Sequence, residues 1–198
     1  MIPAFLVPLV VFAALSTSSP GPNTLTLASC GANLGFRLSL PYSAGIICGR
    51  AALQTAVIAF LGILFTSFPA LQTALKVLGS LYLAWLSYKI ATARPMEQLK
   101  ADDAALTFNQ AALYQFVNPK VWANTLTEVS LFVNGPGSFY LNAALVVAVF
   151  ALVSLVGNSV WTAFGVQIGK LLRSPASFRA FNVSMGALNA ACIVLIWK

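Results

Sequence analysis

Long apolar stretches, separated by short polar segments, occupy the chain from its start to its end. A transmembrane helix needs about 20 mainly apolar residues, and six stretches reach or approach that length. They cover residues 2–27, 40–65, 70–90, 110–133, 139–164 and 178–197. The pattern predicts an all-α integral membrane protein, with six transmembrane helices in a single domain over residues 1–198.

The composition supports a membrane protein and excludes several classes of site. Of 198 residues, 59% are hydrophobic and 8% are charged, whereas about a quarter of the residues in a soluble domain are charged. The chain has four acidic residues, no histidine and three cysteines without a CxxC pair. We therefore expect no metal site, no cofactor and no catalytic residues.

Basic residues lie between the apolar stretches and concentrate on one predicted side of the membrane. Binding to nucleic acid would need a clustered basic face, so the net charge of +7 does not indicate that partner. Cytoplasmic loops carry the excess of Lys and Arg, which makes residues 91–108 the main cytoplasmic loop and places both termini outside. The basic residues on the cytoplasmic side are Arg37, Lys89, Arg94, Lys100, Lys170, Arg173 and Arg179.

Two similar motifs, NTLTLAS at residues 23–29 and NTLTEVS at residues 124–130, are identical at five of seven positions. Each follows a segment that contains proline. Paired breaks in corresponding halves are typical of transporters built from inverted repeats. The sequence predicts an inverted 3+3 repeat with Pro-broken helices 1 and 4, and its halves cover about residues 1–92 and 109–198.

The first break follows the apolar start of the chain. Pro20 and Pro22 remove helical partners from the carbonyls of residues 16–18, and unpaired carbonyls are costly in lipid. In one interpretation these carbonyls bind an ammonium, and the N–H groups that open the next helix bind a carboxylate. In the other interpretation, the break is a proline kink, and the side-chain hydroxyls of residues 16–19 bond back to the helix. The candidate binding residues are Ser19, Pro20, Gly21, Pro22, Asn23 and Thr24.

The second break, Asn118-Pro119-Lys120, adds an amide and an ammonium to an apolar stretch. Polar groups within a membrane are candidates for function, and Lys120 is positioned to attract a carboxylate. Alternatively, Lys120 extends its charge to the cytoplasmic interface, because it lies about three helical turns into the stretch. We include all three residues among the candidates for substrate binding.

Arg50 and Glu128 are two further charges within apolar stretches, and both are candidates for proton coupling. Counting along the helices places Arg50 near mid-depth and Glu128 nearer the outside. A direct pair between them therefore requires a broken or tilted fourth helix. A peripheral, hydrated Glu128 is the alternative.

Three glycine pairs have the spacing that lets helices approach closely, and such faces also permit a homodimer. The pairs are Gly31 with Gly35, Gly45 with Gly49, and Gly165 with Gly169.

Four ordered motifs resemble the lysine-exporter/RhtB family of bacterial amino-acid efflux proteins. They are SPGPNTL (19–25), GANLGFRLSLPYSAGIICG (31–49), LKVLGSLYLAWLSYKI (75–90) and FVNPKVW (116–122). Positions characteristic of the family match at Pro20, Gly21, Pro22, Asn23, Gly35, Gly45, Gly49, Gly79, Tyr82, Asn118 and Pro119. The charges at Glu128 and Arg50 depart from the usual family pattern.

The resemblance implies a secondary active exporter in the bacterial inner membrane. Its substrate would be an amino acid or a derivative, and transport would be coupled to protons and proceed by alternating access. Two other functions compete with this one. A membrane-embedded thiol relay would use Cys30, Cys48 or Cys192, and a nontransporting scaffold subunit would need no polar breaks.

Overall fold

The computed structural model describes residues 5–61, 69–93, 106–133, 138–172 and 174–196, and every regular element in these ranges is helical. The predicted all-α class is confirmed. The helices are α1 (Leu6–Ser18), α2 (Pro22–Ala56), α3 (Pro69–Ala91), α4 (Phe108–Val117), α5 (Pro119–Glu128), α6 (Phe139–Leu171) and α7 (Pro175–Ile196). Single π-helical turns extend α2 over Val57–Leu61 and α5 over Val129–Val133.

Helix α2 folds back on itself at Gly35, whose φ of 78° and ψ of 175° are adopted almost only by glycine. Leu27 consequently packs in one cluster with Tyr42 and Ile46. The segment expected to connect the first two predicted helices is thus helical on both sides of Gly35. The predicted helix contact at Gly35 is wrong, because a Cβ there would meet nothing within 4 Å.

The first segment of α2, residues 22–34, runs parallel to α6 in close contact. A Cβ on Gly165 would meet the backbone of Ala28, and a Cβ on Gly169 would meet the backbone of Ala32. The predicted approach of helices at this glycine pair is confirmed. Because small residues let the two backbones touch, this contact fixes the position of the residues that follow the first interruption.

The second segment of α2, residues 36–56, runs antiparallel to the same helix. The Asn158 amide donates to Ser43 Oγ at 3.2 Å, and the Arg50 guanidinium lies 4.2 Å above the Phe150 ring. Helix α6 therefore borders both arms of the α2 hairpin.

Helix α4 runs parallel to this second segment. Gly45 lies against the Phe108 carbonyl and the Ala111 side chain, and Gly49 lies against the Ala112 backbone. The approach predicted from the spacing of these two glycines is confirmed. It brings α4, and with it the start of α5, next to the middle of α2.

Helices α3 and α7 form an antiparallel pair beside this arrangement. Gly186 packs against the Ser87 carbonyl, and the Asn182 amide donates to the Ala93 carbonyl at 2.8 Å. Asn182 also exchanges two hydrogen bonds with Asn33, at 2.7 and 2.8 Å, which ties the pair to α2.

The outer faces of the helices carry large apolar side chains. Leu15 is 70% exposed, Leu152 65% and Val156 64%, as expected for surfaces that contact lipid. Within the described ranges, α6 stands out as long and apolar enough to cross a bilayer without interruption, and α1 is apolar but shorter.

Several predicted boundaries shift in the structure. Helix α6 extends to Leu171 instead of ending at residue 164, so Lys170 belongs to its last turn. Most of the predicted cytoplasmic loop, residues 94–105, lies outside the described residues, as do residues 134–137.

Candidate functional site

A small cavity of about 40 Å³ lies where the two helix interruptions meet. Helices α1, α2, α5 and α6 and the interruptions themselves contribute its wall. The lining residues are Ser16, Thr17, Gly21, Pro22, Asn23, Thr24, Ile46, Arg50, Asn118, Lys120, Val121, Asn124, Ser154 and Asn158.

The first interruption separates α1 from α2. The Thr17 hydroxyl bonds back to the Ala13 carbonyl at 2.8 Å, and the Ser19 hydroxyl donates to the Ser16 carbonyl at 3.1 Å. Beyond them, the Gly21 N–H donates to Thr24 Oγ1 at 2.9 Å. Local hydroxyls thus satisfy part of the broken backbone, as the kink interpretation expected.

The second interruption separates α4 from α5. Asn118 caps α5, since its side-chain oxygen accepts from the Lys120 N–H at 3.1 Å. The Phe116 carbonyl, which the interruption deprives of a helical partner, accepts from Trp122 Nε1 at 2.8 Å. Side chains therefore replace the hydrogen bonds that the helix loses at this point.

Lys120 connects the two interruptions. Its ammonium donates to the Ser19 carbonyl at 3.0 Å and to the Ser19 hydroxyl at 2.7 Å. The side chain crosses Gly21 so closely that a Cβ there would lie 3.1 Å from Nζ. Of the two interpretations of Lys120, extension to the interface is not observed, because the ammonium points into the cavity.

Amide side chains complete the link between the two interruptions. Asn23 and Gln115 exchange hydrogen bonds of 2.9 and 3.3 Å, and Asn124 donates to Ser16 Oγ at 2.5 Å. The cavity is therefore surrounded by hydrogen-bonding groups that a polar ligand can use.

Arg50 and Glu128 form a buried ion pair beside the cavity. Arg50 Nη2 donates to one Glu128 oxygen at 2.5 Å, and Gln54 donates to the other at 2.6 Å. Glu128 is 0% exposed, so the alternative of a hydrated carboxylate is wrong. Arg50 lines the cavity, and its Nε is buried without a hydrogen-bond partner.

Comparison with known proteins identifies the family. A model of the LysE type translocators matches residues 14–196. The chain belongs to the LysE-type translocator family. This membership confirms the resemblance of the four motifs, and it points to a membrane transporter and not to an enzyme.

The chain is also similar over its whole length to proteins named for efflux. The cysteine/O-acetylserine efflux proteins of Salmonella paratyphi A, Salmonella typhi and Escherichia coli O1:K1 are each 28% identical over 198 residues, 100% of this chain and of the relative. No solved structure matches the chain.

Most of the residues selected from the sequence surround the cavity of this LysE-type protein, but not all of them do. Ser19 contacts it only through Lys120, Pro20 is exposed, and Pro119 is half-buried away from the lining. Glu128 lies behind Arg50. The selected residues that line it are Gly21, Pro22, Asn23, Thr24, Arg50, Asn118 and Lys120.

Ser154 and Asn158 line the cavity but were not selected from the sequence. They lie one helical turn apart on the predominantly apolar α6, and this spacing is the signal that could have identified them. Gln54, Gln115 and Asn124 were also missed.

Within the described ranges, no three metal-ligating side chains come together. The cysteines lie outside the cavity lining, with Cys30 buried and Cys48 exposed. Their positions give no support to a thiol relay at this site.

Proposed function

We propose that this protein is a secondary active exporter that moves amino acids or their derivatives across the bacterial inner membrane in exchange for protons. The observation that carries the proposal is the cavity between the two helix interruptions. Amides, hydroxyls and the cations Arg50 and Lys120 line it, and these groups complement the carboxylate and ammonium of an amino acid. Polar groups at interrupted helices are where transporters bind substrates.

A small polar substrate fits this lining best. Most of the lining residues carry polar side chains, among them Ser154, Asn158 and Thr24, and the exceptions are Gly21, Pro22, Ile46 and Val121. Relatives named for cysteine and O-acetylserine efflux support the same class of substrate.

Transport would proceed by alternating access. The cavity of about 40 Å³ holds about three water molecules, so a substrate enters only if the cavity widens. The contacts that close it join the two halves of the chain: Lys120 with Ser19, Asn23 with Gln115, and Arg50 with Glu128. Rocking of one half against the other would break and reform these contacts.

We further propose that the chain crosses the membrane six times as an inverted repeat with interrupted crossings 1 and 4. In chain order, the crossings are α1 with residues 22–34, residues 36–61, α3, α4 with α5 and its π turn, α6, and α7.

The helix contacts support this arrangement. Crossing 1 packs parallel to crossing 5, and crossing 2 packs parallel to crossing 4. An inverted 3+3 repeat relates crossing 1 to crossing 4, crossing 2 to crossing 5 and crossing 3 to crossing 6. Exchanging the halves therefore converts the pair 1 and 5 into the pair 4 and 2, and it leaves the pair 3 and 6 unchanged. The distribution of basic residues would then place both termini outside and residues 91–108 in the cytoplasm.

Export of labelled amino acids from loaded bacterial cells tests the proposed function. Cells that produce the protein should release labelled cysteine or O-acetylserine several-fold faster than cells with an empty vector. A panel that includes leucine, lysine and glutamate measures selectivity. Equal release of every compound by the two strains would contradict the proposal.

A further inference from the structure

The Lys120 ammonium occupies the place where a substrate ammonium would bind. Its two hydrogen bonds go to the carbonyl and the hydroxyl of Ser19, in the first helix interruption. An amino acid carries the same chemical group, and the two would compete for these acceptors. We propose that Lys120 is the proton carrier of this transporter: substrate displaces its ammonium from Ser19, and Lys120 then releases its proton. This inference rests on the proposed function.

The surroundings of Lys120 explain why displacement would release a proton. Among the described residues, the charged or titratable groups near enough to act on it from other helices are Arg50 on α2 and Cys192 on α7. The nearest acid on its own helix, Glu128, already binds Arg50 and Gln54. In the part of the chain that the structure describes, a displaced ammonium therefore finds no free carboxylate, and the substrate carboxylate would bind Arg50; burying a charge without a partner is costly. The neutral amine avoids that cost.

The exchange has the direction that export requires. When substrate binds from the cytoplasm, one N–H bond of the Lys120 ammonium breaks, and its proton passes to water on the cytoplasmic side. After the substrate leaves on the outside, the neutral amine takes a proton from water there and binds Ser19 again. Since the proton and the substrate exclude each other at this site, one proton enters for each substrate exported.

Glu128 has a different part in this scheme. Both of its carboxylate oxygens are engaged, and it does not line the cavity. It acts as a positioning residue that holds the Arg50 guanidinium, whose free Nε is available to the substrate carboxylate. An arginine is well suited to that carboxylate.

Proteoliposomes that contain the purified protein test the inference. Uptake of labelled cysteine into vesicles with an acidic interior measures proton-driven transport, and exchange against unlabelled cysteine at equal pH measures movement without a gradient. Lys120→Met should retain exchange within about threefold but lose accumulation, because it has no proton to release. Lys120→Arg should lose both by at least tenfold, since its guanidinium stays charged on Ser19. Lys170→Arg, on the exposed end of α6, should match the wild type.

The results separate this inference from the proposed function. Acid-driven accumulation by Lys120→Met or Lys120→Arg at the wild-type level would overturn the inference and leave the exporter intact. A wild-type protein inactive in both assays would contradict both.

A second measurement needs no variant and covers a Lys120→Met protein that fails to fold. Binding of cysteine to the wild type should tighten by up to about tenfold per pH unit between about pH 5.5 and 7.5, below the titration of the cysteine thiol. The sign follows because protons compete with substrate and are scarcer at higher pH. Affinity that does not change with pH would overturn the inference.

Discussion

The pair of Arg50 and Glu128 joins the two halves of the chain through buried charges. Glu128 is fully buried and its partners are Arg50 and Gln54. A buried ion pair contributes little beyond what apolar residues of similar size provide, but breaking it is costly because one charge stays behind without a partner.

Replacement of one or both members of this pair measures its coupling. Glu128→Met should lower the free energy of unfolding by about 3–5 kcal/mol, because it leaves Arg50 unpaired. The double variant Arg50→Met/Glu128→Met should be more stable than the single one. Thermal unfolding in detergent measures both effects. The single variant Arg50→Met completes the comparison. If the double variant loses as much free energy of unfolding as the two single variants together, the charges are not coupled.

The sequence identified Arg50, Glu128 and Lys120 as unusual because charges are rare in apolar helices. It did not identify their partners. Counting residues along straight helices placed Arg50 and Glu128 at different depths, and they meet only because α5 begins anew after the second interruption. Gln54 and Gln115 carry no comparable signal, since an uncharged amide in a helix is common and its partner depends on packing.

At the level of elements, glycine residues determine how the helices meet. Spacing predicted the close approaches at Gly45 and Gly165, but it failed at Gly35. The reason is that spacing alone does not distinguish a glycine that admits a neighbouring backbone from one that permits a turn. The φ of 78° at Gly35 results from the hairpin that α2 forms.

A substitution at this turn tests the hairpin. Gly35→Ala should lower the free energy of unfolding by about 1–3 kcal/mol, because alanine is strained in this region of φ and ψ. Gly157→Ala is the matched control: its Cβ would lie 3.4 Å from Thr17 Oγ1, an ordinary contact, so stability should not fall and should rise by up to about 1 kcal/mol, because alanine is favoured over glycine inside a helix. Equal thermal stability of the two variants would argue against the turn.

The similar NTLT motifs are offset from the helix interruptions. Asn23 is the first residue after Pro22, whereas Asn124 is the fifth after Pro119. Aligning the two interruptions therefore displaces the motifs by four residues, about one helical turn. The symmetry that we propose rests on helix pairing and not on this sequence match.

At the level of the whole molecule, the apolar pattern predicted the all-helical class, whereas the described ranges contain seven α-helices and the six membrane crossings stay a prediction. Hydrophobicity constrains which residues lie in lipid, but it does not record which helices touch. The pairing of α2 with α6 depends on small residues and on shape, and it became evident only in the structure.

Topology reporters test the proposed orientation. A reporter fused at Ala101 should be active only in the cytoplasm, and one fused at Gly135 only outside, because the basic residues favour a cytoplasmic location for residues 91–108. Alkaline phosphatase and green fluorescent protein fusions at both positions provide opposite readouts. The reverse pattern at both positions would invert the proposed topology.

Transport through the cavity is the central claim, and export by amide variants tests it most directly. Asn23→Ala and Asn118→Ala should reduce export of labelled cysteine by at least about tenfold, the effect of losing one hydrogen bond to a charged group. Asn109→Ala removes an exposed amide from α4 and should export like the wild type. If the two cavity variants insert normally and export at the wild-type rate, the substrate does not pass through this cavity.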